Sequence, residues 1–146
     1  MIALVQRVAE ARVEIAGSVV GAIGRGLLVL VCAEPADGAG QVARMVDKLL
    51  KLRVFSDPAG RMNLSVQDVQ GGLLLVSQFT LAADTSGGNR PSFIGAAPAE
   101  LGRAIYEDTL RLARQRHPVV QAGVFGADMR VHLVNDGPVT IPLRVN

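Results

Sequence analysis

The sequence predicts a single α+β domain spanning residues 1–146, with a β-sheet or barrel-like core of roughly seven or more strands and two main helices. Three observations carry that expectation. Apolar and polar residues alternate in short stretches at both ends of the chain, the pattern of half-buried strands. Two solidly apolar runs, Gly26 to Ala33 and Leu73 to Val76, read as strands buried on both faces. Two longer segments carry apolar residues at helical spacing. One core normally serves a chain of this length, and no linker, internal repeat or low-complexity stretch divides it.

Ile2 to Val8 reads as the first strand, and Arg12-Val13-Glu14-Ile15 alternates as a second. Ala16-Gly17-Ser18 turns the chain, and Gly24-Arg25-Gly26 precedes the apolar LLVLV, the third strand. A loop rich in Pro and Gly, Glu34 to Gly40, leads into a helix whose inward face is Val42, Met45, Val46, Leu49 and Leu50. Arg53-Val54-Phe55 returns as a strand, Asp57-Pro58-Ala59-Gly60 is a turn signal, and Met62-Asn63-Leu64 follows. Leu73 to Leu81, LLLVSQFTL, is expected as one strand. Residues 82–97 show neither period, and so long a loop in a compact domain is usually functional or mobile. Pro98 suits the first position of a second helix, with Glu100 in its first turn. Leu101, Ala104, Ile105 and Leu112 would face inward, and Pro118 would stop it. The rest is strand material, and both helices are expected on one face of the sheet.

Apolar residues make up 49% of the chain and charged residues 19%, enough for a packed core and no sign of disorder. No apolar run is long enough to span a bilayer as a helix, and Met1 opens into a strand pattern with no secretory leader. The single cysteine, Cys32, reads as a small buried residue. These features point to a reducing, cytoplasmic setting. Thirteen of the fifteen cations are arginine, which favours bidentate phosphate contacts on a mildly basic chain of formal charge +2. Four Phe, one Tyr and no Trp are too few for a platform that stacks several bases.

Conventional catalytic constellations are missing: no nucleophile elbow, no phosphate-cradling glycine loop, no Cys/His spacing that suits zinc. His117 would close the second helix as a cation on its dipole, and His132 reads as a solvated or interface strand residue. Without a placed base, a serine-hydrolase triad is excluded as the working reading. Three segments still look unlike ordinary structure. Ser77-Gln78-Phe79-Thr80-Leu81 puts polar side chains at the end of a buried strand, and Asn89-Arg90-Pro91-Ser92-Phe93 lies in the long loop. In Val134 to Thr140, VNDGPVT, Asp136-Gly137 signals a tight hairpin between strands. Pro138 behind it is awkward, because proline gives a ladder no N–H.

SQFTL, NRPSF, FGADM (Phe125 to Met129) and NDGPVT, in that order and spacing, resemble the D-aminoacyl-tRNA deacylase family. MIALVQRV, GLLVLV and RMNLS are similar too, so the likeness runs through the chain. Asn89 departs from the basic residue expected there, and the Glu34 to Gly40 loop is variable. The resemblance implies a small homodimer that hydrolyses the ester joining a D-amino acid to the 3′-terminal adenosine of tRNA, and that also removes mischarged glycine. It implies no cofactor or metal, and neither membrane nor DNA as a partner. Its site would be a shallow pocket at the dimer interface, with Ser77, Gln78, Phe79 and Thr80 as the catalytic segment. Leu81, Phe125, Ala127 and Met129 would contact substrate, and Arg7 and Arg90 are candidates for the acceptor-end phosphates. Gly137-Pro138, held cis, would enter from the other subunit as a chiral filter.

Physical chemistry supports that division of labour. Rigid backbone carbonyls close to the substrate Cα would reject an L side chain and pass a D side chain or glycine. The N–H groups of Phe79 and Thr80 would stabilise a tetrahedral oxyanion. Thr80 has no evident activating base, so the terminal ribose 2′-hydroxyl is expected to help activate water. Two alternatives stay open at this point: an editing deacylase for small L-aminoacyl-tRNA, and a non-catalytic tRNA-binding dimer.

Overall fold

The computed structural model describes all residues, 1–146. It contains eight strands: β1 (Ile2–Ile15), β2 (Ser18–Ile23), β3 (Gly26–Cys32), β4 (Phe55–Ser56), β5 (Met62–Leu64), β6 (Gly72–Ser77), β7 (Val120–Ala122) and β8 (Arg130–Arg144). Two helices, α1 (Ala39–Lys51) and α2 (Ala99–Arg116), and a 3₁₀ turn at Phe79–Ala82 complete the chain. The main sheet runs β2-β1-β3-β6-β7, with β8 added along β1. It curls until β2 meets β7, where a Cβ on Gly21 would lie 2.7 Å from the Ala122 carbonyl oxygen. The α+β class, the two helices and the barrel-like core are as the sequence predicts.

The central pair, β3 and β6, is parallel, with Gly26 opposite Gly72 and Val31 opposite Ser77. Both strands are apolar on both faces because both faces are covered. Leu27, Val29, Val31, Leu73 and Leu75 face one cluster, with the buried side of α1 and with Ile105, Tyr106 and Ala113 of α2. Leu28, Leu74 and Val76 face a second cluster with Val8, Ala11, Val13 and Ile23. Both helices therefore cover the same face, as expected. All five predicted inward residues of α1 are buried.

Several elements differ from the sequence reading. Ile2–Val8 and Arg12–Ile15 are one strand, not two. Its first half pairs with β3 and its second with β2, and register slips against β8 around Val8 re-aim its side chains between the two clusters. Ser18, read as part of the turn, instead opens β2, which runs to Ile23. In α2, Pro98 is the N-cap and not the first helical residue. Ala104 is exposed, whereas Tyr106, Thr109 and Ala113 share the buried stripe with Ile105. His117 closes α2 as its C-cap, as expected, but is buried, with Nε2 2.7 Å from the Gly71 carbonyl oxygen.

The stretch around Asp136-Gly137 is not a hairpin. Both halves of β8 run antiparallel to the same strand, β1, with Arg130 opposite Glu14 and Arg144 opposite Ile2. Asn135 pairs with Val8 and Thr140 with Gln6, so residues 136–139 loop out of the ladder and rejoin it. This edge position removes the objection to proline there and at Pro142.

Candidate functional site

Because β3 and β6 are parallel, their C-terminal ends lie side by side, and a pocket of about 660 Å³ opens there. Ser77, Gln78 and Phe79 line it from β6 onward, Phe93 from the long loop, and Phe125, Ala127 and Met129 from the segment before β8. Three separate sequence motifs thus converge on one cavity. Tyr106, Gly102 and Ala97 also line it and were not anticipated. The Tyr106 hydroxyl lies 3.0 Å from the Leu75 oxygen and 3.1 Å from the Gly123 oxygen, joining β6 to the segment after β7. Burial pushes its pKa up to about 12, so it stays a neutral donor. A sole tyrosine on an otherwise aliphatic helix face was the available signal.

The strand does not continue to Leu81 as the sequence suggested. The Gln78 N–H donates to the Val31 oxygen at 2.8 Å, which ends the ladder. Leu81 N–H then reaches back to the Gln78 oxygen at 3.2 Å, and Ala83 N–H to the Thr80 oxygen at 3.1 Å. Phe79 and Thr80 thereby open a 3₁₀ turn, where the first N–H groups have no partner within the turn. Phe79 is 57% exposed and meets Phe93 edge-on, with ring centroids 5.1 Å apart. Gln78 Nε2 donates to Thr80 Oγ1. Thr80 is exposed and Leu81 half-buried, and neither lines the pocket. Cys32 does line it, and its thiol is within bonding distance of the Ala33 and Phe79 oxygens at 3.4 and 3.5 Å. Burial raises the Cys32 pKa, which keeps the thiol neutral. No cluster of three His, Cys, Asp or Glu side chains is placed to hold a metal ion.

The second feature is the excursion at residues 136–139. Gly137 and Pro138 are exposed, their peptide bond is cis, and Gly137 has φ +136°. A Cβ on Gly137 would lie 2.8 Å from Val139 Cγ2 and 3.0 Å from its nitrogen, so glycine is required twice over. Arg7 is largely buried against this loop. Its Nε donates to the Asp136 carbonyl oxygen at 3.0 Å, and its Nη1 to the Val54 oxygen at 2.7 Å. Neither Gly137, Pro138 nor Arg7 touches the pocket of the same chain. Arg7 pairs with Leu27, four residues before Val31, which is about 13 Å along a strand. Arg90 is exposed in the long loop and forms no ion pair.

A largely apolar pocket, with no paired acid and base among its lining residues, opens at one end of a curled α+β sheet, and a glycine-proline excursion projects from its edge strand. The family model for D-Tyr-tRNA(Tyr) deacylase matches residues 4–144. A D-aminoacyl-tRNA deacylase of Methylibium petroleiphilum is 68% identical over 145 residues, covering 99% of this chain and 95% of the relative. The Aromatoleum aromaticum protein of the same name is 66% identical over 145 residues, covering 99% and 95%. Among solved structures, one titled c-Myc DNA Unwinding Element Binding Protein superposes with a TM-score of 0.95 at 42% identity, covering 100% of this chain and 99% of that one. A probable eukaryotic D-amino acid tRNA deacylase shares the fold, at TM-score 0.84 and 18% identity, covering 97% of each chain. The chain belongs to the D-Tyr-tRNA(Tyr) deacylase family.

Proposed function

We infer that this chain is a D-aminoacyl-tRNA deacylase: it hydrolyses the ester between a D-amino acid and the 3′-terminal adenosine of tRNA, releasing the free amino acid and tRNA. The observation that carries this is the convergence of Ser77-Gln78-Phe79, Phe93 and Phe125 to Met129 on one pocket, in a chain of that family. No helix is long and apolar enough to cross a membrane.

In this reading the aminoacyl-adenosine end enters the pocket, with adenine against the apolar wall that includes Phe125 and Met129. Water adds to the ester carbonyl carbon, and the developing oxyanion is held by the Phe79 and Thr80 N–H groups, which open the 3₁₀ turn. The ribose 2′-hydroxyl orients the water and relays its proton, accepting it as the hydroxyl's own proton passes to the departing 3′-oxygen. Collapse of the tetrahedral intermediate breaks the bond to the 3′-oxygen, which leaves protonated. Gly137-Pro138 of a second copy closes the pocket near the substrate Cα. Its carbonyls accept the α-ammonium group and leave no room for an L side chain, while a D side chain points outward and glycine passes. Arg90 contacts the acceptor-end phosphates, and Arg7 serves the site by holding Asp136.

The test is ester loss from D-aminoacyl-, glycyl- and L-aminoacyl-tRNA incubated with the protein. Rapid loss from the first two and persistence of the third are expected. Turnover of none of them would leave a tRNA-binding scaffold, and turnover of the L-ester would overturn the filter.

A further inference from the structure

Where β8 leaves and rejoins β1, one side chain closes the neck of the excursion. Asn135 Nδ2 donates to the Arg7 carbonyl oxygen at 3.0 Å and to the Val139 carbonyl oxygen at 3.0 Å. Its Oδ1 accepts from Thr140 Oγ1 at 3.1 Å, and that hydroxyl in turn accepts from Gln6 Nε2 at 3.4 Å. Both amide protons and the amide oxygen are therefore used, and the two donors meet two carbonyls, which fixes the side chain's orientation. Residues 136–139 have no ladder partner on β1, and Gly137 and Pro138 are exposed. The loop's shape thus rests on bonds at its base: Arg7 to Asp136 on one side, and Asn135 to Val139 across the neck.

We propose that Asn135, supported by the Thr140 hydroxyl, is a positioning residue for chiral discrimination: it fixes where the Gly137-Pro138 carbonyls stand and does not itself touch substrate. The proposal rests on the filter reading above. An isosteric Asn135→Asp change replaces two donors with a carboxylate oxygen facing two carbonyl oxygens, which repel it. The neck opens and the filter loses its fixed height.

The measurement is kcat/KM for D-aminoacyl- and L-aminoacyl-tRNA, with a thermal melt beside each. Asn135→Asp should lower the D-over-L ratio at least tenfold, through both slower D-ester hydrolysis and new L-ester hydrolysis. Thr140→Val, which removes the hydroxyl at constant shape, should move the ratio the same way by a smaller factor, and Thr140→Ser should restore it. It also carries the test if Asn135→Asp does not fold. A lowered melting temperature with an unchanged ratio in both variants would make the network merely structural and overturn the proposal. Failure of the unsubstituted protein to discriminate would instead overturn the filter itself.

Discussion

At the ends of β3 and β6, the segment proposed as catalytic is carried by a core. Leu73 to Val76 are fully buried, Tyr106 ties the strand from behind, and only the last residues, Phe79 and Thr80, reach solvent. On β8, Gly137-Pro138 stands on the exposed edge of the sheet, held at its base chiefly by polar contacts from Arg7 and Asn135, with only Val139 packed against the core. The first region derives its precision from packing and the second from polar clamps. A core-borne site should lose stability and function together when damaged. A clamp-borne site should lose selectivity at little cost in stability.

Gly137→Ala should give the largest effect on function. The new Cβ meets Val139 and takes a left-handed φ, a strain of roughly 1–3 kcal/mol at the tip of the loop, and the displaced carbonyls should lower the D-ester kcat/KM by about 100-fold or more. The melting temperature should fall only in proportion to that strain, by a few degrees, and a larger fall would show that the excursion is part of the core. Tyr106→Phe should instead lower stability and rate together. Leaving the Leu75 and Gly123 oxygens without their hydroxyl costs about 1–3 kcal/mol, seen in a thermal melt, while the D-over-L ratio stays constant. Thr80→Ala should retain most of the deacylation rate, because the hydroxyl lies outside the pocket wall. A substrate ending in 2′-deoxyadenosine should be hydrolysed far more slowly. Total loss in Thr80→Ala, with folding and tRNA binding intact, would restore the nucleophile.

The smallest effect is one of pH, at the loop beside the pocket. Partial burial raises the Glu34 pKa, but bonds from the Met1 ammonium at 2.7 Å and Arg144 at 2.6 Å outweigh it and hold the carboxyl below its ordinary value of 4.5. A carboxyl with a lowered folded pKa adds stability that is complete above the ordinary value and is lost as pH falls through the folded one. Melts from about pH 7 to 3 should therefore show an acid loss that Glu34→Gln makes shallower. An identical acid limb in the variant would remove Glu34 from the account.

The comparison also explains what could be read in advance. Wherever local pattern and burial agree, the sequence is legible: Leu27 to Val31 sits between two layers, and Val42 to Leu50 shows a single stripe. The motifs SQFTL, NRPSF and FGADM could be named, but their meeting in one pocket depends on distant contacts, among them the parallel β6–β7 pair that sets the segment after Ala122 beside the end of β6. What failed depended on distant partners. Val19 and Val20 are both exposed, so β2 has no alternation to detect. His117 looks like an exposed helix-end residue until Gly71 is placed against it. Asp136-Gly137 looks like a hairpin because nothing local records that both flanks pair with β1. Asn135 resembles any turn asparagine until Arg7, Val139 and Thr140 are brought to it.

The central claim is that the excursion of one copy completes the pocket of another. Subunit mixing tests it most directly. Gly137→Ala disables the excursion, and Phe79→Pro removes one proposed oxyanion N–H at the first position of a helical turn, where proline is tolerated. Each variant alone should be nearly inactive on D-aminoacyl-tRNA. Unfolded and refolded together, they should regain activity, because a mixed dimer holds one site with both halves unsubstituted. Mixtures no more active than the separate variants, despite mixed dimers forming, would contradict the shared site.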